Sequence, residues 1–157
     1  MPDEKKPDNP YSALRQQALD AAPSMVDADW FPGEPFGILM ETGYQKAIVT
    51  LVSLADGTTS LYFSSGGGAI GAGRYESISE ASKRFVTASR AYVNALELTA
   101  VYPNPEIGEV RFYVLTDYAV LTYRASESAL GNNQDLLSSL FYSGQDVITA
   151  LRLAKVI

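Results

Sequence analysis

The alternation of apolar and polar residues predicts β-strands in two groups. Three runs rich in β-branched and aromatic residues come first, at 36–42, 46–55 and 58–64, and Asp56-Gly57 between the last two is typical of a tight hairpin turn. Two more runs follow at 109–116 and 118–124. The 46–55 run is apolar on both of its alternating faces, which predicts a central strand covered on both sides. Because the connections are short, we expect antiparallel pairing throughout.

Helical spacing of apolar residues marks three other segments. Asn9-Pro10 precedes an apolar stripe that runs up to Pro23 and predicts a first helix. The tetrapeptide Ser77-Ile78-Ser79-Glu80 has the form of a capping box and predicts the start of a second helix. A last helix, capped by Asn132 or Asn133, carries the apolar residues from Leu136 to Leu151, with a glycine at Gly144 that indicates a kink or a close contact.

These elements define an α+β protein with the order α-β-β-β-α-β-β-α, a five-stranded antiparallel sheet and helices packed on it. The chain has 157 residues, of which 46% are hydrophobic, a size that suits one buried core. We expect a single domain over 10–157, after a flexible leader at 1–9 that is charged and proline-rich. The connector at 24–35 is expected to fold over the core, anchored by Trp30 and Phe31.

The net charge and the absence of two residue types exclude or disfavour several classes of function. The net charge of −6 disfavours nucleic acid and anionic membrane surfaces as partners. With no Cys and no His, disulfides, thiol nucleophiles, histidine bases and the usual zinc sites are excluded. No secretory signal or membrane-spanning run is evident, so the cytoplasm is the expected location. We expect no cofactor and no metal, and a non-catalytic protein rather than an enzyme acting through a buried carboxylate, Lys or Tyr.

The glycine-rich segment at 64–73 is the main candidate for ligand binding. The run from Gly66 to Gly71 satisfies the pattern G-x-G-x-x-G, whose glycines let backbone amides approach a pyrophosphate. A dinucleotide site needs a parallel βαβ unit, however, and the expected strands are antiparallel. A simple turn is one interpretation, and a site for a phosphate or carboxylate group is the other. The residues of that second interpretation are Ser64, Ser65, Gly66, Gly67, Gly68, Gly71 and Arg74.

Other side chains allow a structural and a functional interpretation. Asp27, Asp29 and Glu34 are of the type that holds a hard cation, but the segment lacks the spacing of a calcium loop, which favours solvated acids on a connector. The strand tyrosines pack in the core or, beside Arg111 and Arg124, form an exposed aromatic patch for a partner. These tyrosines are Tyr62, Tyr113, Tyr118 and Tyr123.

The second helix carries apolar and alanine positions on one face, with Val86 and the small Ser82 and Ser89 on the opposite face. The first face packs on the sheet or forms a dimer seam, and the opposite face offers a second contact.

The element order, with the Asp56-Gly57 hairpin, the glycine-rich turn into a central helix and a helix after the second hairpin, resembles the roadblock/dynein light-chain group of profilin-like domains. The resemblance implies two-fold pairing through the central helix or an edge strand. We therefore expect a protein-interaction module of adaptor or scaffold type, with a homodimer or another protein as its partner. The alternative is a domain that binds a small anionic ligand or nucleotide at the Gly66–Gly73 loop.

Overall fold

The computed structural model describes residues 9–157, which form one antiparallel sheet flanked by helices. The predicted leader at 1–9 lies outside these residues except for Asn9. The seven strands stand in the order β4-β3-β2-β1-β6-β7-β5. Their bounds are β1 Gly37–Gly43, β2 Ile48–Leu54, β3 Thr59–Phe63, β4 Gly68–Ala69, β5 Glu97–Thr99, β6 Glu109–Leu115 and β7 Val120–Ser126. The helices are α1 Tyr11–Leu19, α2 Glu76–Ser89, α3 Glu127–Gly131 and α4 Ser138–Leu153.

The α+β class and the antiparallel sheet are confirmed, but the prediction of five strands is wrong. The two additional strands, β4 and β5, lie at the two edges of the sheet. They contain two and three residues, too few for an alternating pattern to show in the sequence. Each forms because a long neighbouring strand, β3 or β7, offers backbone donors and acceptors to it.

Both faces of the sheet are covered, as the apolar alternation in β2 predicts. On one face, which we call the α2/α4 face, Leu51 packs in a large core with α2 and α4. On the other, the α1 face, Val52 packs with α1 and the connector after it. β1 is the middle strand, and all seven of its residues are buried.

Helix α2 is buried over more of its surface than its sequence indicates. Ser82 and Ser89 are fully buried and Val86 is almost so, which means that the face expected to be free for a second contact lies inside the protomer. The Ser82 hydroxyl is hydrogen bonded to the Ser53 hydroxyl of β2 at 2.7 Å. The predicted capping box does not form: α2 begins at Glu76 with Tyr75 as its N-cap and no side-chain cap.

The end of the chain contains two helices where one was expected. Asn132 and Asn133 do not cap the last helix; they end α3, and Asn133 takes the left-handed conformation with φ 57°. Helix α4 begins only at Ser138. Gly144 makes the close contact that was one of its two interpretations, because a Cβ there would lie 2.7 Å from Met40 Cε of β1 and 2.9 Å from Phe85 Cζ of α2.

The connector is held by one of its two predicted anchors. Trp30 packs against Phe36, with ring centroids 5.7 Å apart, whereas Phe31 is 73% exposed. Val26 supplies the second buried contact. Within residues 9–157, no helix is both long enough and apolar enough to cross a membrane.

Candidate functional site

The strongest polar cluster of the described residues is an ion pair buried under α1. Glu41, at the middle of β1, is fully buried, and Arg15 of α1 meets it with two contacts, Nε to Oε2 at 2.7 Å and Nη2 to Oε1 at 2.8 Å. The Thr50 hydroxyl donates to Glu41 Oε2 at 2.7 Å and is in turn hydrogen bonded to the Tyr11 hydroxyl at 2.8 Å. Both carboxylate oxygens therefore have partners, as a buried charge requires.

Arg15 also holds the segment between β5 and β6. Its Nη2 donates to the Tyr102 carbonyl at 2.8 Å, and its guanidinium lies 5.6 Å from the centroid of the Tyr113 ring. The Tyr113 hydroxyl donates to the Pro103 carbonyl. One arginine thus ties α1, β1 and this segment together. Because Arg15 and Glu41 contact only other residues of the protein, the cluster has a structural role: it fixes α1 and this segment against β1.

Burial raises the pKa of Tyr11 and of Tyr113, and the nearby negative charge of Glu41 adds to the rise in both. Below about pH 10 the two phenols are protonated in both the folded and the unfolded protein. Above it, the unfolded chain loses these protons first, so folding stability falls as the pH rises towards the folded-state pKa values.

We therefore expect urea denaturation to show a steep loss of stability above about pH 10. The Tyr11→Phe and Tyr113→Phe variants should lose less between pH 9 and pH 11 than the parent. Tyr118→Phe, at an exposed position, is the matched control and should follow the parent. An equal slope in all four proteins would contradict the assignment of these two phenols.

The structure separates the residues predicted to bind an anion. Ser64 closes the end of the β2–β3 hairpin: its hydroxyl accepts from the Ile48 N–H at 2.7 Å and its own N–H donates to the Ile48 carbonyl at 2.9 Å. Ser65, Gly66 and Gly67 form the exposed turn that follows. Gly68 lies in the edge strand β4, where a Cβ would come within 2.0 Å of the Leu61 carbonyl oxygen.

Gly71 and Arg74 lie beyond that strand, at the entry to α2. Gly71 has φ 68°, a left-handed conformation that favours glycine, and Arg74 follows in a short 3-10 turn. The pattern from Gly66 to Gly71 thus spans a turn and an antiparallel edge strand. It is not the strand-to-helix turn of a parallel βαβ unit that a dinucleotide site requires.

Arg74 stands between two clefts. One, of about 250 Å³, is also lined by Asp27 and Asp56. Burial by itself raises the pKa of Asp56, but hydrogen bonds from Thr58 and from the Asp27 N–H outweigh it and lower the pKa below its ordinary value. The other cleft, of about 340 Å³, is lined by Lys155 together with Gly68, Ala69, Ile70 and Tyr75.

The outer edge of β7 forms a third candidate site, which the sequence analysis did not identify. β7 spans Val120–Ser126, but β5 pairs only with Val120, Leu121 and Thr122. In the part of the chain that the structure describes, residues 123–126 have no strand on this side. A free stretch of strand edge remains, with backbone groups available for another chain.

The direction of these backbone groups follows from the hairpin. The Thr116 N–H donates to the Ala119 carbonyl at one end of the β6–β7 ladder, and the Glu127 N–H donates to the Gly108 carbonyl at the other. Because hydrogen-bonded pairs alternate in an antiparallel ladder, Tyr123 and Ala125 bond to β6 and Arg124 points its N–H and C=O outward.

A cavity of about 420 Å³ adjoins this free edge on the α1 face. It is lined by Ala95, Glu97, Arg111, Thr122, Tyr123 and Arg124. Arg111 and Arg124 lie directly opposite each other across β6 and β7, an arrangement of like charges that costs stability. Arg111 is paired with Glu109 at 2.7 Å, whereas no carboxylate of residues 9–157 lies within 4.0 Å of Arg124.

The remaining candidates from the sequence do not assemble. Glu34 lies 3.5 Å from Arg90, and Asp27 lies beside Asp56 instead, so the suggested cation ligands are apart. Among the described residues, no group of three acidic side chains is placed to hold a metal. Tyr62 and Tyr113 are buried, and the Tyr123 hydroxyl donates to Asp135 on the opposite face of the sheet, so the strand tyrosines form no common patch.

Comparison of the chain with models of protein families, with curated proteins and with solved structures finds no match. Function is therefore argued from the geometry of these sites.

Proposed function

We propose that the protein is a non-catalytic interaction module that adds an extended segment of a partner protein to the free edge of β7. The observation that carries the proposal is the unpaired stretch of this strand at 123–126, next to a cavity lined by two arginines. Strand addition uses main-chain hydrogen bonds for affinity and side-chain pockets for specificity. The edge of β7 offers the outward N–H and C=O of Arg124 for the first and the adjoining cavity for the second.

The chemistry of the cavity favours a partner segment with an acidic side chain. Glu97 is the one acid that lines the cavity beside Arg111 and Arg124, and Arg111 is already paired with Glu109, which leaves Arg124 as the cation without a carboxylate within 4.0 Å among residues 9–157. A carboxylate of the partner in this cavity would pair with Arg124 and reduce the repulsion between Arg124 and Arg111 across the two strands. The acidic side chain of the partner therefore contributes binding through its charge, and its position fixes the register of the added segment against β7.

A second copy of the same chain fits this edge less well. Two-fold pairing of β7 around Arg124 would bring the arginines of the two copies together, which adds repulsion instead of removing it. The free stretch is also short, which suits a short partner segment bound transiently better than a stable dimer, since stable interfaces usually bury more than about 1,000 Å². A partner protein in the cytoplasm is accordingly the occupant that we propose, and a homodimer is the alternative that the experiment separates.

The free edge has a direct test in amide hydrogen exchange of the protein alone. We expect the Arg124 amide to exchange much faster than those of Tyr123 and Ala125, because its N–H points away from β6 and has no strand partner. The Thr122 amide, opposite Glu97 of β5, is the internal control and should be protected. If Arg124 is as protected as Thr122, the edge is already occupied and the proposal fails.

Binding itself is tested by display selection of short random peptides on the parent protein, with the Arg124→Pro variant used for counter-selection. Proline removes the outward N–H without touching the β6 ladder and is tolerated at strand edges. We expect peptides with alternating β-branched residues and one acidic side chain, bound at least tenfold more weakly by Arg124→Pro. Bound peptide should protect the Arg124 amide of the parent.

Arg124→Gln separates the charge from the backbone and keeps the test valid if the proline variant does not fold. It retains the N–H and should prefer peptides without the acid. Selection of peptides whose binding is indifferent to both variants would overturn the proposal. If light scattering shows a dimer that Arg124→Pro converts to a monomer, the occupant of this edge is a second copy of the chain and not a partner protein.

A further inference from the structure

We propose that the cleft between Arg74 and Lys155 binds a phosphate group of a small molecule. This site lies beside β4, whereas the partner edge described above lies beside β5 at the opposite end of the sheet, so the two proposals are independent. The cleft has a volume of about 340 Å³, enough for a phosphate group and part of the molecule that carries it.

The charge of this cleft is wholly positive. Arg74 and Lys155 line it, and the residues between them are Gly68, Ala69, Ile70, Ala72, Tyr75 and Val156. Within residues 9–157, no carboxylate lies within 4.0 Å of either cation. In a chain with net charge −6, two cations that line one small cleft with no acidic side chain in its lining form a local site for an anion.

Arg74 is held in position before any ligand arrives. Its Nη1 donates to the Gly71 carbonyl at 3.2 Å, its Nη2 donates to the Tyr75 hydroxyl at 3.3 Å, and its guanidinium lies 4.8 Å from the centroid of the Tyr75 ring. These contacts are with neutral groups, and the carboxylates of Asp27 and Asp56 in the neighbouring cleft lie more than 4.0 Å from the guanidinium nitrogens. These contacts orient the exposed guanidinium, so its remaining N–H groups meet a tetrahedral oxyanion with a smaller loss of conformational entropy.

Lys155 occupies a backbone position that usually belongs to glycine. The N–H groups of Lys155 and Val156 donate to the carbonyls of Arg152 and Leu151, the pattern of a Schellman motif at the end of α4. Lys155 has φ 59°, a left-handed conformation that is strained for a residue with a Cβ. The comparable position after α3 holds Asn133, a residue that accepts this conformation. The strain at Lys155 is explained if its side chain is needed in the cleft.

The test is titration of isotope-labelled protein with inorganic phosphate and with pyrophosphate, followed by amide chemical shifts at constant ionic strength. We expect saturable shifts at residues 68–75 and 153–156. Arg74→Gln should weaken binding about tenfold. Arg124→Gln, at the other end of the sheet, is the matched control and should leave phosphate affinity within about twofold.

Lys155→Gly distinguishes a binding role from a structural one. Glycine relieves the left-handed strain, so the variant should melt at the same temperature as the parent or higher while binding phosphate about tenfold more weakly. The proposal is overturned if sodium chloride alone reproduces the shifts, or if Arg74→Gln and Lys155→Gly bind like the parent. Neither result would affect peptide binding at β7, which has its own variants.

Discussion

Replacement of Arg15 by methionine is expected to destabilise the protein by about 3–5 kcal/mol at neutral pH. The substitution leaves Glu41, which is fully buried in the middle strand, without its cation. It also removes the hydrogen bond that Arg15 Nη2 donates to the Tyr102 carbonyl. Because small domains are stable by only about 5–15 kcal/mol, urea denaturation should show a large shift of the midpoint.

The control for this prediction is the double variant Arg15→Met/Glu41→Met, which removes both charges. We expect it to be clearly more stable than Arg15→Met alone, since replacing a complete buried ion pair by apolar side chains is often close to neutral. The difference between the single and double variants measures the cost of leaving the Glu41 carboxylate buried without its cation. A fall in the free energy of unfolding of less than about 1 kcal/mol for Arg15→Met would show that the network does not hold α1 and β1 together.

Replacement of Gly144 by valine is expected to cost about 2–3 kcal/mol through overpacking. Even a Cβ at this position would lie within 3 Å of Met40 of β1 and of the Phe85 ring of α2. Met40 can move its flexible end, but the Phe85 ring is fully buried in the core, where side chains are close-packed. Helix α4 must therefore shift away from the sheet, which thermal or urea denaturation will report as lower stability.

Gly131→Ala is the control for adding a side chain to a helical glycine where there is no steric clash. Gly131 ends α3, and a Cβ there would meet no atom within 4 Å. This variant should be neutral or stabilised by up to about 1 kcal/mol, as expected for glycine replaced by alanine in a helix. Equal destabilisation by Gly144→Val and Gly131→Ala would mean that the contact with Met40 and Phe85 is not what makes glycine necessary.

Long periodic elements could be predicted from the sequence with small errors at their ends. The run at 109–116 became β6 at Glu109–Leu115, and the run at 46–55 became β2 at Ile48–Leu54 with both faces covered. Periodicity succeeds there because burial on each side of a strand selects apolar residues at every second position. The second hairpin was predicted for the same reason.

The candidate sites could be predicted only in part. The glycine-rich pattern points to Arg74 as an anion-binding candidate but not to Lys155, because the end of α4 brings Lys155 to the cleft from a distant part of the chain. The free edge of β7 depends on where β5 stops, and a strand of three residues leaves no periodic signal. The partners of the Arg15–Glu41 pair are 26 positions apart, on opposite sides of a long connector, so spacing could not reveal it.

The sequence by itself determined the α+β class, the antiparallel pairing and the exclusion of histidine and cysteine chemistry, since these follow from local pattern and composition. Only the tertiary structure decided the number of strands, the burial of Ser82 and Ser89, and which charges meet across the molecule. Each of these depends on contacts between residues far apart in the chain. Such contacts arise from packing of whole elements, and packing is not encoded in any short stretch of residues.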